Sequence, residues 1–222
     1  MQPPRLLRYE FIIRLSQKIL LASSNRDKFE EFQDLFRSYP EIELVPAQSI
    51  LRNAENLQLA EKYQTYLENA TAKARYANQG CHYPSLADDS GLEVESLKGR
   101  PGVRSHRYAS PKANMTQDQA NREHLLTEMK GSQNRSAQFV CTLVLVIEGV
   151  LLHAVGKMEG TLTEVARGTE GFGYDPLFVP NGHTQTLAEM SRSEKNRISH
   201  RAHALHELMR QVTALGIVIA KP

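Results

Sequence analysis

The sequence predicts an α/β domain built on a mixed sheet, on three observations. A short buried strand at residues 18–23 passes through a polar turn straight into an amphipathic helix. A near-continuous, valine-rich apolar run at residues 139–147 has the composition of a central strand. Glu148-Gly149 then turns that run back into residues 150–155 as a hairpin. Strands and helices alternate irregularly around the hairpin, which calls for a mixed rather than an all-parallel sheet.

The elements follow in order. In the first helix Phe29, Phe32, Leu35 and Phe36 share a face, and Ser24 or Asn25 supplies the cap. Extended chain leads through Val45-Pro46. Residues 67–78 read as a helix with Leu67, Ala70, Ala74 and Ala77 on one stripe and Gly80 as the stop. A second strand enters at residues 84–87 and ends in a turn at Asp88-Asp89-Ser90-Gly91, where Gly91 permits the sharp bend; residues 92–97 can resume as strand. Gly99-Arg100-Pro101-Gly102 is a turn. Thr116 with Gln119 forms a capping-box signature for a helix reaching about Met129. Residues 157–163 read as a separate strand, and Gly171-Phe172-Gly173-Tyr174-Asp175-Pro176 as a glycine-rich loop. One long helix starts near Ser193, with Ile198, Ala202, Leu205, Met209 and Val212 facing the core.

The 222 residues suit one domain, or one domain with two lobes, able to bury a core and frame a cleft. A formal net charge of +2 argues against a nucleic-acid coat protein and leaves room for a small anionic ligand. Cys81 and Cys141 lack metal-ligand spacing and read as reduced thiols of a cytoplasmic protein. No apolar stretch is long enough to span a bilayer. In residues 1–17, Arg5, Arg8 and Arg14 interrupt the apolar pieces and no small-residue cleavage site follows, so the segment reads as a flexible extension rather than a secretory signal.

Four segments carry candidate chemistry, each with a plainer alternative. Ser23, Ser24, Asn25, Arg26, Asp27 and Lys28 join a strand to a helix N-terminus, where free backbone N–H groups, hydroxyls and a lysine favour phosphate; an ordinary capped helix reads the same. Asp88 and Asp89 are adjacent carboxylates, costly without nearby positive charge. Strand alternation sends them to opposite faces, so one should face a magnesium ion and the other accept structural hydrogen bonds. In the third segment Phe172 and Tyr174 can stack a planar base and Asp175 can accept from ring N–H groups, or the aromatics are core. The fourth, residues 191–201, crowds cations at a helix start, where the macrodipole prefers acids; a bound anion or polar ligand would offset them.

In this order Ser-Ser-Asn-x-x-Lys, Leu-Ala-Asp-Asp-Ser-Gly, Gly-Phe-Gly-Tyr-Asp-Pro and Ser-His-Arg, with Leu67-Glu68-Asn69-Ala70, Lys73-Ala74-Arg75 and Gly99-Arg100-Pro101-Gly102 between them, closely resemble the inosine/xanthosine triphosphate pyrophosphatase family. The resemblance spans residues 18–208 or so. It implies an elongated, two-lobed α/β fold around a long mixed sheet, with the active-site cleft between the lobes and residues 18–222 forming one unit. It also implies a homodimer, and magnesium-dependent hydrolysis of ITP, dITP or XTP to monophosphate and pyrophosphate. Carried over, Asn25 and Lys28 contact phosphates beside Ser23 and Ser24. Asp89 is the catalytic residue and a metal ligand with Glu61, and Ser90 contacts substrate. Phe172, Gly173, Tyr174 and Asp175 hold sugar and base, and Lys195, His200 and Arg201 complete base recognition. Ser24 stands where the family usually has glycine, which requires that Ser24 avoid positive φ. A pyrophosphatase for pyrimidine or modified nucleotides, or a nucleotide- or RNA-binding module, are the competing readings; no nucleic-acid or membrane partner is expected.

Overall fold

The computed structural model describes residues 14–15, 17–59, 61–81 and 83–219. Strand β1 (Arg14–Leu15) pairs in parallel with the last strand, β8 (Val218–Ile219). The rest of the expected N-terminal extension, save Gln17, lies outside the described residues.

The main sheet begins with β2 (Lys18–Leu21), which leads into α1 (Arg26–Leu35) and β3 (Glu43–Pro46). The short α2 (Asn56–Leu59) and the fifteen-residue α3 (Tyr66–Gly80) precede β4 (Ser85–Val94). Helix α4 (Gln117–Glu128) has the predicted capping box. The hairpin β5 (Ser136–Ile147) and β6 (Val150–Leu162) forms the centre, and β7 (Phe178–Pro180) the far edge. Helices α5 (Arg192–Ile198) and α6 (His200–Ala214) follow. The strand order is β3-β2-β4-β5-β6-β7, parallel at β3-β2-β4 and antiparallel beyond, so the sheet is mixed as predicted.

Three apolar clusters explain the two lobes. Leu21, Phe32, Phe36, Leu143, Leu205 and Leu208 fill one face of the sheet beneath α1 and α6. Leu20, Ala70, Ala74, Ala77 and Val144 fill the opposite face beneath α3. At the other end, Leu92, Leu125, Met129, Phe139, Leu177 and Phe178 form a separate core under α4. Strands β4, β5 and β6 run through both ends; the β5–β6 ladder is unbroken from Ser136↔Thr161 to Ile147↔Val150. Asp88 and Asp89 sit midway along β4, between the cores.

Several local expectations are corrected. There is no turn at residues 88–91: β4 passes straight through, and Gly91 lacks positive φ. Its absent side chain serves close approach instead, since a Cβ there would lie 2.2 Å from the Gly102 carbonyl oxygen. Residues 150–162 are one strand, because Gly156 marks where α6 presses on the sheet; a Cβ would meet the His200 carbonyl oxygen at 2.1 Å and the Ala204 nitrogen at 2.3 Å. The long C-terminal helix is broken at Ser199, whose extended backbone and side chain cap α6 by accepting from the Ala202 N–H. Leu67 is exposed, and the buried stripe of α3 runs instead through Asn69, Ala70, Lys73, Ala74 and Ala77.

Candidate active site

The first turn closes as the sequence predicts. Asn25 caps α1 with its Oδ1, accepting from the Lys28 N–H at 2.9 Å, and Ser23 Oγ accepts from the Asn25 N–H. Ser24 keeps a negative φ, and its hydroxyl accepts from Gln58 of α2 at 3.1 Å. Arg26 and Asp27 are exposed at the rim, Arg26 paired with Glu30. Lys28 reaches inward and its ammonium lies 3.0 Å from Asp88 Oδ2.

Strand alternation then divides the two aspartates. Asp88 points to the α1–α6 side, where Lys28 and the Arg201 guanidinium attend it and Ser90 Oγ donates to it at 2.9 Å. Burial works to raise its pKa, but Lys28, Arg201 and Lys73 overcome this and hold it well below the usual carboxylate range. Asp89 points to the α3 side. Asn69 Nδ2 donates to its Oδ2 at 2.9 Å, while Oδ1 stands 3.9 Å from Lys73 Nζ. Burial raises the Asp89 carboxyl to about 6, only partly opposed by Lys73 and Lys28 and reinforced by Glu61. Lys73 is itself fully desolvated yet kept charged by Glu61, 2.5 Å away, and by the aspartates. Arg107 Nη2 donates to the Glu61 carbonyl at 2.9 Å.

Asp89 Oδ1 has no hydrogen-bond partner among the described residues and is the open carboxylate oxygen a hard cation such as magnesium, which takes one or two carboxylates with phosphate and water, could use. Glu61 is already engaged, its Oε1 by Lys73 and its Oε2 by Arg107 Nη1, so it could serve a cation only by sharing those oxygens. Among the described residues no group of three or more His, Cys, Asp and Glu side chains could hold a metal.

The distal half is built on buried charge. Lys195 joins Glu31 of α1 to Asp175, at 2.5 Å from Asp175 Oδ2, and Arg201 Nη1 donates to Glu31 Oε2 at 2.7 Å. The crowded cations of residues 191–201 are thus offset by protein carboxylates, and α5 carries its own acid, Glu194, in a capping box. Desolvation raises the Asp175 pKa, with Glu31 adding to the effect against Lys195. The Phe172 ring lies against two cations, 4.9 Å from Lys195 Nζ and 5.3 Å from Arg201 Cζ. Tyr174 is core: 4% exposed, its hydroxyl donating to the Ser105 carbonyl. The Asp175 Oδ2 accepts from Lys195 and the Phe172 N–H. His200 stacks on Phe139, and both its ring nitrogens are buried without a hydrogen-bond partner among the described residues; desolvation, then Arg201 and Lys195, drive its pKa well below the usual value.

These groups line one cleft of about 830 Å³, a size suited to a nucleotide. Every predicted site residue faces it except Lys195, which lies behind Asp175. Sequence reasoning missed Glu31, Asn69 and Lys73 as site-forming residues. The signal was there: each is a polar residue on the buried face of an amphipathic helix, which requires a buried partner. It also missed Asp118 and Asn121 of α4, whose partners lie on distant loops.

The Ham1 family model matches residues 19–211. A dITP/XTP pyrophosphatase from Aquifex aeolicus (strain VF5) is 38% identical over 198 residues, covering 86% of this chain and 95% of the relative. One from Neisseria meningitidis serogroup A is 43% identical over 199 residues, 88% of this chain and 96% of the relative. Among solved structures, a HAM1 protein from Coxiella burnetii superposes with a TM-score of 0.74 at 37% identity, and the Staphylococcus aureus Ham1 protein with 0.72 at 32%; each match covers 89% of this chain and 98% of the other. Matched from β2 to α6, with the cleft residues inside the matched span, the chain belongs to the Ham1 family.

Proposed function

We propose that this protein hydrolyses the non-standard purine nucleoside triphosphates ITP, dITP and XTP to monophosphate and pyrophosphate, removing them from the nucleotide pool before misincorporation. The observation that carries the reading is Asp89: a desolvated carboxylate raised to about 6, facing the same cleft as a capped helix N-terminus and Lys28. The relatives named dITP/XTP pyrophosphatase support it.

Asn25, Ser23, Ser24 and Lys28 bind the triphosphate, and Arg26 and Asp27 border it. Asp89 orients a water and accepts its proton, as a carboxylate more basic than an exposed one. The water oxygen bonds to phosphorus of the α–β anhydride, the bond to the bridging oxygen breaks, and pyrophosphate leaves with that electron pair. Mg2+ held by Asp89 and Glu61 would neutralise charge on the phosphate oxygens. Lys73 keeps both carboxylates ionised and in place, and Ser90 links Arg201 to Asp88 at the substrate edge.

Base recognition rests on Phe172 stacking and on His200 and Arg201, whose Nε makes no hydrogen bond and has Asp88 Oδ2 at 3.7 Å. A donor here pairs with the 6-oxo group of hypoxanthine or xanthine, whereas adenine's amino group leaves it unpaired, a mismatch worth roughly 10⁴-fold. Gly173 and Tyr174 shape the floor, and Asp175 and Lys195 act from behind.

The same reading makes residues 18–222 one two-lobed catalytic unit, working as a cytoplasmic homodimer without nucleic-acid or membrane partners. Its two free cysteines suit a reducing compartment. Pyrophosphate release with magnesium tests the activity: ITP and XTP should turn over far faster than ATP and GTP, and equal rates on all four refute the base preference. Sedimentation tests the dimer.

A further inference from the structure

Phe172 stands between Gly171 at φ +73° and Gly173 at φ +60°, so its own neighbours give the ring almost no conformational restraint. Asp175 restrains one side: its carboxylate accepts from the Phe172 N–H, and its own N–H donates to the Phe172 carbonyl. The other side is held from helix α4. Asp118 Oδ2 accepts from the Gly173 N–H at 2.7 Å, and Arg122 Nη1 donates to the Gly173 carbonyl at 2.7 Å. The two side chains are four residues apart on one helix face, so a single rigid element grips both polar groups of one residue.

Helix α4 is a firm base for this grip. Asn121, between the two, is 2% exposed; its amide donates to the Ser105 and His106 carbonyls, and its oxygen accepts from the Ala109 N–H and Gln117 Nε2. All four of its hydrogen-bonding positions are filled.

We propose that Asp118 and Arg122 are positioning residues for base selection: the α4 clamp on Gly173 sets the pose of Phe172, and through it the affinity for the purine. The inference rests on the nucleotide reading above. The phosphate end, at Asn25, Lys28 and Asp89, lies on other elements, so loss of the clamp acts on KM and leaves the chemical step alone.

The test uses the full-length protein, assayed for pyrophosphate release from ITP and dITP as D118A, R122A, the double variant and D118N. Each alanine variant should raise KM for ITP about tenfold with kcat within about twofold. The double variant should be little worse than either single one, because both act on one residue. D118N, whose Oδ1 still accepts the Gly173 N–H, should recover most of the wild-type KM. Amide exchange at residues 171–175 should quicken in D118A and R122A and not in D118N. Unchanged KM and exchange in both alanine variants overturn the clamp, as does multiplication of the two effects. If Asp118 touches the sugar instead, D118A alone would alter the ITP to dITP ratio, and that too overturns it. A wild-type protein inactive on every triphosphate sinks the functional reading, while the exchange data still judge the clamp itself.

Discussion

Asp88 and Asp89 are bonded neighbours whose carboxyls are driven in opposite directions, Asp88 downward by Lys28 and Arg201 against its burial, Asp89 upward to about 6 by burial that its neighbours only partly offset. One is a structural anion; the other is the base of the proposed reaction. D88N therefore leaves Lys28 and Arg201 short of a buried counter-charge and should cost about 3–5 kcal/mol of unfolding free energy. D89N removes a carboxylate that the fold disfavours, so it should melt at or above the wild type while losing about 10³-fold in rate. Thermal melts beside pyrophosphate release separate the two, and D89N retaining a tenth of the rate refutes its role.

G91A should fail to fold or lose several kcal/mol, since its Cβ would meet backbone oxygen at 2.2 Å, which no rotamer change relieves. Urea unfolding of any soluble fraction checks this. A variant of wild-type stability would show that the 102–107 segment moves away freely.

His200 is buried neutral, its folded pKa depressed below the unfolded value of about 6.5. Between those two values the unfolded chain binds a proton that the native one refuses, so His200 removes stability as pH falls through 6.5, by up to about 1.4 kcal/mol per unit. Asp89, raised to about 6, acts with the opposite sign at lower pH, so the readout is the difference between wild type and H200F. H200F should lack the loss between pH 7 and 5 that His200 contributes. Parallel curves would assign the proton elsewhere.

F172A should raise KM for ITP and GTP alike, by an amount corresponding to about 1–3 kcal/mol of stacking, because every purine presents the same face to a ring. Steady-state kinetics on both substrates check it. A large effect on ITP alone would make Phe172 a reader of base edges.

Much of this was legible in the chain. The capped turn at Ser23 to Lys28, the valine-rich β5 and the Thr116 capping box depend on local periodicity and side-chain chemistry, and they stand where the sequence places them. The errors share a cause. Gly91 reads as a bend and residues 157–163 as a separate strand, but Gly91 and Gly156 are places where another segment touches the strand, and close approach leaves no local mark distinct from a turn. In the same way the cations of residues 191–201 suggested a ligand because their counter-charges, Glu31 and Asp88, are more than a hundred residues away. The two aromatics of the glycine loop are equivalent in the sequence, and what separates them is tertiary: Tyr174 packs into the core with Leu92, Leu125 and Met129, and its hydroxyl donates to the Ser105 carbonyl, 69 residues away.

The unbroken β5–β6 ladder beneath the cleft has a mechanical consequence. With no linker at the junction, the halves cannot swing as jointed jaws; substrate entry must flex a continuous ribbon, like a leaf spring, or move only the rim segments. For the same reason the halves are not separable parts: cutting the ribbon would bare long strand edges on both fragments and leave each prone to aggregate rather than fold.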